Sequence, residues 1–268
     1  MGVSPMHPPP QRLAHGRDAR ATLAMQTLEY APRTPSRSGR YLERALLFTL
    51  AATSIWSLLA EFYAIASMRA FALFVFVPAT AALLVWAARD RAGGSGYIWR
   101  VVRVGALAGF IAACAYDVFR LPFVFAREMH IASVVPHLPL FKVFPAFGKL
   151  ILGEPLVTHI SGHPTANSLA DHFVGWAYHF SNGMTFGIMY LALIGDAARR
   201  SWWWAVVLAV VLELGMLLTP YPSVFAIKLT KTFVAVTLSA HLVFGVALGL
   251  CARWLWRTSR GAISDAAR

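Results

Sequence analysis

The sequence predicts an all-helical, polytopic membrane protein with about six transmembrane helices, the last four forming a four-helix bundle built as two similar hairpins. Three observations carry this expectation. The chain is 58% hydrophobic and only 13% charged, with a mean hydropathy of +0.58, whereas soluble domains carry about 25% charged residues. Its apolar residues fall into six runs, each near the ~20 residues that cross ~30 Å of hydrocarbon. Its cationic residues gather in the tails and short connectors, as they do on the cytoplasmic side of inner-membrane proteins.

Residues 1–40 contain prolines at 5, 8, 9, 10, 32 and 35, six arginines and no sustained apolar period. That composition predicts a disordered, basic cytoplasmic tail. No apolar core leads to a small-residue cleavage site, so the segment does not read as a secretory signal. A membrane domain follows over 41–258, with spans expected at about 44–66, 70–88, 100–126, 171–195, 202–220 and 232–256. Met68 and Arg69 supply the expected turn between the first two. Pro78 lies inside the second span, which a membrane helix tolerates when neighbours satisfy the freed carbonyl; a half-buried segment is the alternative. Residues 259–268 read as a short cytoplasmic tail.

The 127–170 segment is longer than loops usually are without structure of their own. Within it, 138–145 and 147–152 are too short to span but apolar enough to lie at the interface or to cap the bundle. His159-x3-His163 has the spacing of a helical metal pair, yet Gly162 and Pro164 work against a regular helix there.

Orientation follows from Arg and Lys. Arg89, Arg91, Arg100 and Arg103 flank the second connector, Arg199 and Arg200 the fourth, and Arg253, Arg257, Arg260 and Arg268 follow the last span. With the basic tail they fall on one side, which places both termini in the cytoplasm. The net charge of +12 and pI of about 10.4 therefore point to a lipid bilayer and not to nucleic acid. Trp202, Trp203, Trp204, Trp254 and Trp256 stand at expected helix ends, where interfacial aromatics collect. Cys114 and Cys251 lie in apolar runs and form neither a disulfide framework nor a metal-type pair.

The last four spans share a plan. The third carries Gly105-x3-Gly109-x3-Ala113-x3-Asp117, and the fifth Ala205-x3-Ala209-x3-Glu213. The fourth and sixth carry His-x3-Gly-x3-Gly, as His179, Gly183, Gly187 and as His241, Gly245, Gly249. One residue per turn on a single ridge results in each case. Such ridges let helix backbones approach closely in lipid; they suit a parallel repeat of two hairpins and also a helix-mediated homo-oligomer.

At 1.5 Å per residue, Asp117, Glu213, His179 and His241 converge on the outer half of the membrane. Arg120, one turn beyond Asp117, His172, one heptad before His179, and Asn182 are expected near the same face. Ionisable groups at that depth are costly unless paired or hydrated, which makes this polar cluster a candidate binding site. The competing reading is structural: Asp117 and Arg120 as an i,i+3 ion pair, and histidines bonding neighbouring carbonyls.

Gly105-Ala106-Leu107-Ala108-Gly109, His179-Phe180, Leu218-Thr219-Pro220 and His241-Leu242-Val243-Phe244-Gly245 together resemble the YagU-like group of bacterial inner-membrane proteins. The resemblance covers about 105–256 and leaves out the first two spans and the proline-rich tail. It implies a bacterial inner (plasma) membrane location and a role under acid stress, with no catalytic residues to carry over.

Three functions are open at this level. A small permease or proton-linked transporter would use ionisable groups near a repeat interface. A redox or metal protein would use His179 and His241 as axial ligands of a haem, or His179, His241 and Glu213 as ligands of a transition metal. A non-catalytic scaffold or stress protein would use the ridges for packing alone. No nucleophile elbow, Walker loop or kinase motif occurs, so an enzyme is the less expected class.

Overall fold

Hydrophobic patterning alone would make independent helices, and what orders them here is a small number of polar and glycine contacts. The computed structural model describes residues 37–156 and 166–265. The expected tail over 1–36 and the His159-x3-His163 pair lie outside the described residues. Every regular element among the described residues is helical.

Helix α1 (Arg37–Phe62) starts inside the segment assigned to the tail, and α2 (Met68–Gly93) follows it. The turn between them occupies 63–67, ahead of the expected Met68-Arg69. Ser67 Oγ accepts from the Ala70 N–H at 3.2 Å, and the Glu61 carboxylate accepts the Met68 N–H. Two orphan donors of the first turn are thereby satisfied, which fixes the start of α2 at Met68. Glu61 is thus a capping residue for α2. Pro78 falls just after a π-helical stretch, Ala72–Phe76. The wider turn relieves the clash a proline ring makes with the carbonyl four residues earlier. Only 17% of the most apolar window of α2 is buried, so this helix forms an exposed edge of the bundle.

Asp90 starts the next helix, α3 (Tyr97–Val124). Its carboxylate accepts from the N–H groups of Gly96 and Trp99, both at 3.1 Å, and from Ser95 Oγ at 3.2 Å. A short 3-10 turn (Leu140–Lys142) then leads into α4 (Val143–Leu152). This part of the 127–170 segment folds back onto α5 (Leu169–Ile194), which opens with a capping box of Ser168 and Asp171. The contact is backbone to backbone: a Cβ on Gly175 would collide with the Phe144 carbonyl.

Helix α5 is the centre of the molecule, enclosed by α1, α3 and α4. On the α3 side, a Cβ on Gly105 would stand 2.7 Å from Ile188 Cα, and one on Gly183 2.7 Å from Ala113 Cβ. No side chain fits between them, so the two backbones meet. On the α1 side a polar seam runs through the interior. Ser54 Oγ lies 2.8 Å from Thr185 Oγ1, Ser57 Oγ lies 2.8 Å from the Tyr178 hydroxyl, and that hydroxyl donates to the Ser54 carbonyl at 2.6 Å. The last two helices, α6 (Trp203–Leu218) and α7 (Lys231–Asp265), pack on each other, and α7 packs on α3. A Cβ on Gly245 would stand 2.6 Å from Val206 Cα. Helix α7 runs through most of the expected cytoplasmic tail.

Among the described residues four helices are long and apolar enough to cross a membrane: α1, α2, α3 and α7. Helix α6 is apolar but has 16 residues, about 24 Å of rise. Helix α5 has 26 residues, about 39 Å, but carries His, Asn, Ser, Thr and Gly along its length. Its composition fits its place, because a helix wrapped by protein need not present apolar side chains to lipid.

Candidate functional site

The ridge that ends α3 turns Asp117 toward α5, where His179 sits one turn before the contact glycines. His179 Nε2 lies 2.8 Å from Asp117 Oδ2. Since a carboxylate only accepts, Nε2 carries the proton and donates, which leaves Nδ1 as the free nitrogen. Arg120 Nη1 lies 3.6 Å from the other oxygen, Oδ1. One carboxylate is therefore shared by an imidazole and a guanidinium.

A second pair, on α6 and α7, repeats the arrangement with a difference. His241 Nδ1 lies 3.3 Å from Glu213 Oε2 and 3.0 Å from the Thr237 carbonyl one turn back on its own helix. The carbonyl likewise fixes the proton on Nδ1. Tyr116 stands between the two centres, its ring centroid 6.0 Å from that of His179 and 4.9 Å from that of His241. The preceding residue on α3 thus links the two His–carboxylate pairs.

Arg120 is 4% exposed. Its Nη2 donates to the Leu140 carbonyl at 2.6 Å, while Nε and Nη1 have no hydrogen-bond partner. The guanidinium lies over the rings of Tyr116 at 4.7 Å, Phe141 at 5.1 Å and Phe144 at 5.3 Å. Cation–π contact and the shared carboxylate offset the cost of holding this charge away from water. Phe144 also lies over His179, with centroids 4.3 Å apart. Helix α4 therefore roofs the cluster.

These groups face a cavity of about 780 Å³ bounded by α1, α3, α4, α5, α6 and α7. Its wall is mostly apolar, with Arg120, His179, Asn182, Glu213 and His241 as inward polar groups and Lys142 and Lys228 at an exposed rim. Asn182 is buried and its Oδ1 has no partner. At the same rim, burial pushes the Tyr221 phenol above its ordinary range, reinforced by Tyr116 and Glu213 and opposed by Arg120. That hydroxyl stays neutral.

Of the seven residues singled out in the sequence, six come together here and His172 does not. His172 is exposed in the first turns of α5. A heptad returns it to the face of His179, but about 10 Å further along the axis. Tyr116, Phe144 and Lys149 are the residues the sequence pattern missed. Tyr116 sits next to Asp117 and so about 100° around the helix, off the ridge that drew attention to its neighbour.

Among the described residues no three His, Cys, Asp or Glu side chains converge to hold a metal ion. The three metal candidates, His179, His241 and Glu213, belong to two pairs separated by the Tyr116 ring, which also stands where a haem between the two imidazoles would lie. No family model, curated protein or solved structure matches the chain.

Proposed function

We propose that this is a small multi-pass membrane permease of the bacterial inner membrane whose substrate site is the cavity between the two hairpins, with proton uptake coupled to occupancy. In this reading α5 and α6 cross the bilayer alongside the four strongly apolar helices, giving six spans and cytoplasmic termini. The observation that carries it is the pairing of His179 with Asp117 and of His241 with Glu213 on the wall of one cavity in an otherwise apolar bundle. Each pair can take up a proton because the imidazolium formed already lies against a carboxylate. Glycine contacts and the Ser54–Tyr178 seam hold the helices that carry these groups in register.

The test is transport by the purified full chain in liposomes loaded with a pH-sensitive dye. Substrate-dependent proton flux that falls at least about tenfold in His179→Gln and in Glu213→Gln, an ordinary loss for a removed proton carrier, supports the reading. Liposomes that show no flux with any substrate, from protein that keeps its native elution and melting, favour the scaffold reading instead.

A further inference from the structure

We infer that the cavity is a site for an amphipathic anion, an acidic headgroup on an apolar chain of medium length, with Arg120 as its headgroup receptor. The inference rests on the permease reading for its setting and adds the class of ligand. Its starting point is the incomplete bonding of Arg120. A guanidinium offers five N–H donors, yet here Nη2 alone makes a hydrogen bond, while Nε and Nη1 are buried without one, Nη1 lying 3.6 Å from Asp117 Oδ1, on a side chain that lines the cavity. Buried donors left in that state are costly, and a ligand oxygen in the cavity would meet them.

Charge on the wall points the same way. The cavity is lined by three cationic side chains, Arg120, Lys142 and Lys228, and by one carboxylate, Glu213. The two lysines are exposed at the rim, where they raise the local concentration of an anion approaching from the outer side. Below them the wall is apolar: Leu58, Leu59, Phe147, Met216, Phe225 and Phe244 all line it. A volume of about 780 Å³ suits a ligand well above the size of an inorganic ion.

The shared carboxylate supplies the coupling. Asp117 lies against both Arg120 and His179. With His179 neutral, the Asp117 charge cancels that of Arg120. With His179 protonated at Nδ1, the same carboxylate is matched by the imidazolium and the guanidinium charge is left over for an anion. The groups facing His179 are Tyr116, Asp117 and Arg120 on α3, with His241 on α7 and Glu213 on α6 beyond Tyr116. Proton and anion therefore favour each other's binding, and the linkage is reciprocal.

The experiment is calorimetric titration of decanoate into the full chain in discs of neutral phosphatidylcholine, with decyltrimethylammonium as the charge-reversed probe. Decanoate is expected to bind, and to bind more tightly at lower pH, about 5.5 against about 8. Arg120→Gln should weaken it at least about tenfold, whereas Asp117→Asn, which removes the competing carboxylate, should tighten it roughly tenfold. The opposite sign of the second variant separates the site from general loss of fold. Repeating the titration in discs containing phosphatidylglycerol locates the source: competition that needs Arg120 means a bilayer lipid occupies the site, and no competition means the ligand arrives from water. Both results support the anion site. Decanoate affinity unchanged in Arg120→Gln, or decyltrimethylammonium binding the native chain as tightly as decanoate, overturns it. Decanoate binding without flux leaves the anion site standing and removes the permease; flux of another solute without decanoate binding does the reverse.

Discussion

Lys149 and Asp171 meet at 2.9 Å across the seam between α4 and α5, with 3% and 0% of the two residues exposed. Lys149 also donates to the Ala166 carbonyl at 2.7 Å, and Asp171 Oδ2 accepts the Ser168 N–H at 2.6 Å. The pair thus ties α4 to the first turn of α5 and holds the roof over the cavity. Removing Lys149 leaves the Asp171 carboxylate buried without a cation, whereas Lys149 without Asp171 keeps Glu154 at 3.4 Å. Lys149→Met should cost about 3–5 kcal/mol, and Lys149→Met with Asp171→Leu should recover much of it. Thermal unfolding of the purified chain in detergent reads both.

The backbone contact of α3 with α5 makes a steric prediction. Gly109→Ala puts a methyl group against the Gly183 carbonyl and should cost about 1–3 kcal/mol or more. Gly215→Ala on α6, where nothing lies within 4 Å, should leave stability unchanged or raise it by up to about 1 kcal/mol. Chemical denaturation of the two variants side by side distinguishes a contact glycine from an idle one.

The seam between α1 and α5 is short and polar, so it should be cooperative. Ser57→Ala and Tyr178→Phe should each cost about 0.6–2 kcal/mol, by analogy with interhelical hydrogen bonds in membranes. Their double variant should cost less than the sum, because both changes remove the same 2.8 Å contact. A double-mutant cycle on unfolding free energies gives the coupling directly.

Topology is testable at Ser201. With Cys114 and Cys251 replaced by Ala, single cysteines at Ser133, Ser201 and Ser223 report sidedness, since all three positions are exposed. Six spans place Ser201 on the cytoplasmic side and the other two outside. A cysteine at Ser201 labelled from outside by an impermeant maleimide would leave only the four strongly apolar helices crossing.

How far the sequence reached is clearest at the two histidines. Helix rise places Asp117, His179, Glu213 and His241 at one depth, and the structure has them in contact two by two. Depth along an axis is a local property, readable by counting residues. Rotation about the axis and the return of a distant segment are not. Tyr116 was invisible because it lies off its own ridge. The Lys149–Asp171 pair was invisible because it closes only when α4 folds back, across a connection that periodicity does not describe. Spans one and two, left outside the expected four-helix bundle, divided unevenly: α2 is an edge, whereas α1 supplies Ser54 and Ser57 to the interior. The only trace of that in the sequence is two serines three residues apart in an apolar run.

The place of α5 has a consequence for how the chain is made. Its main neighbours, α1, α3 and α4, all precede it, while its contacts with α6 and α7 are slight. When α5 leaves the ribosome, the surfaces that receive it already exist. A helix that carries His, Asn, Ser and Thr among its apolar residues can leave the insertion machinery into a groove of earlier helices. Reordering the gene so that α5 is translated before α3 would preserve every residue of the protein and remove that groove.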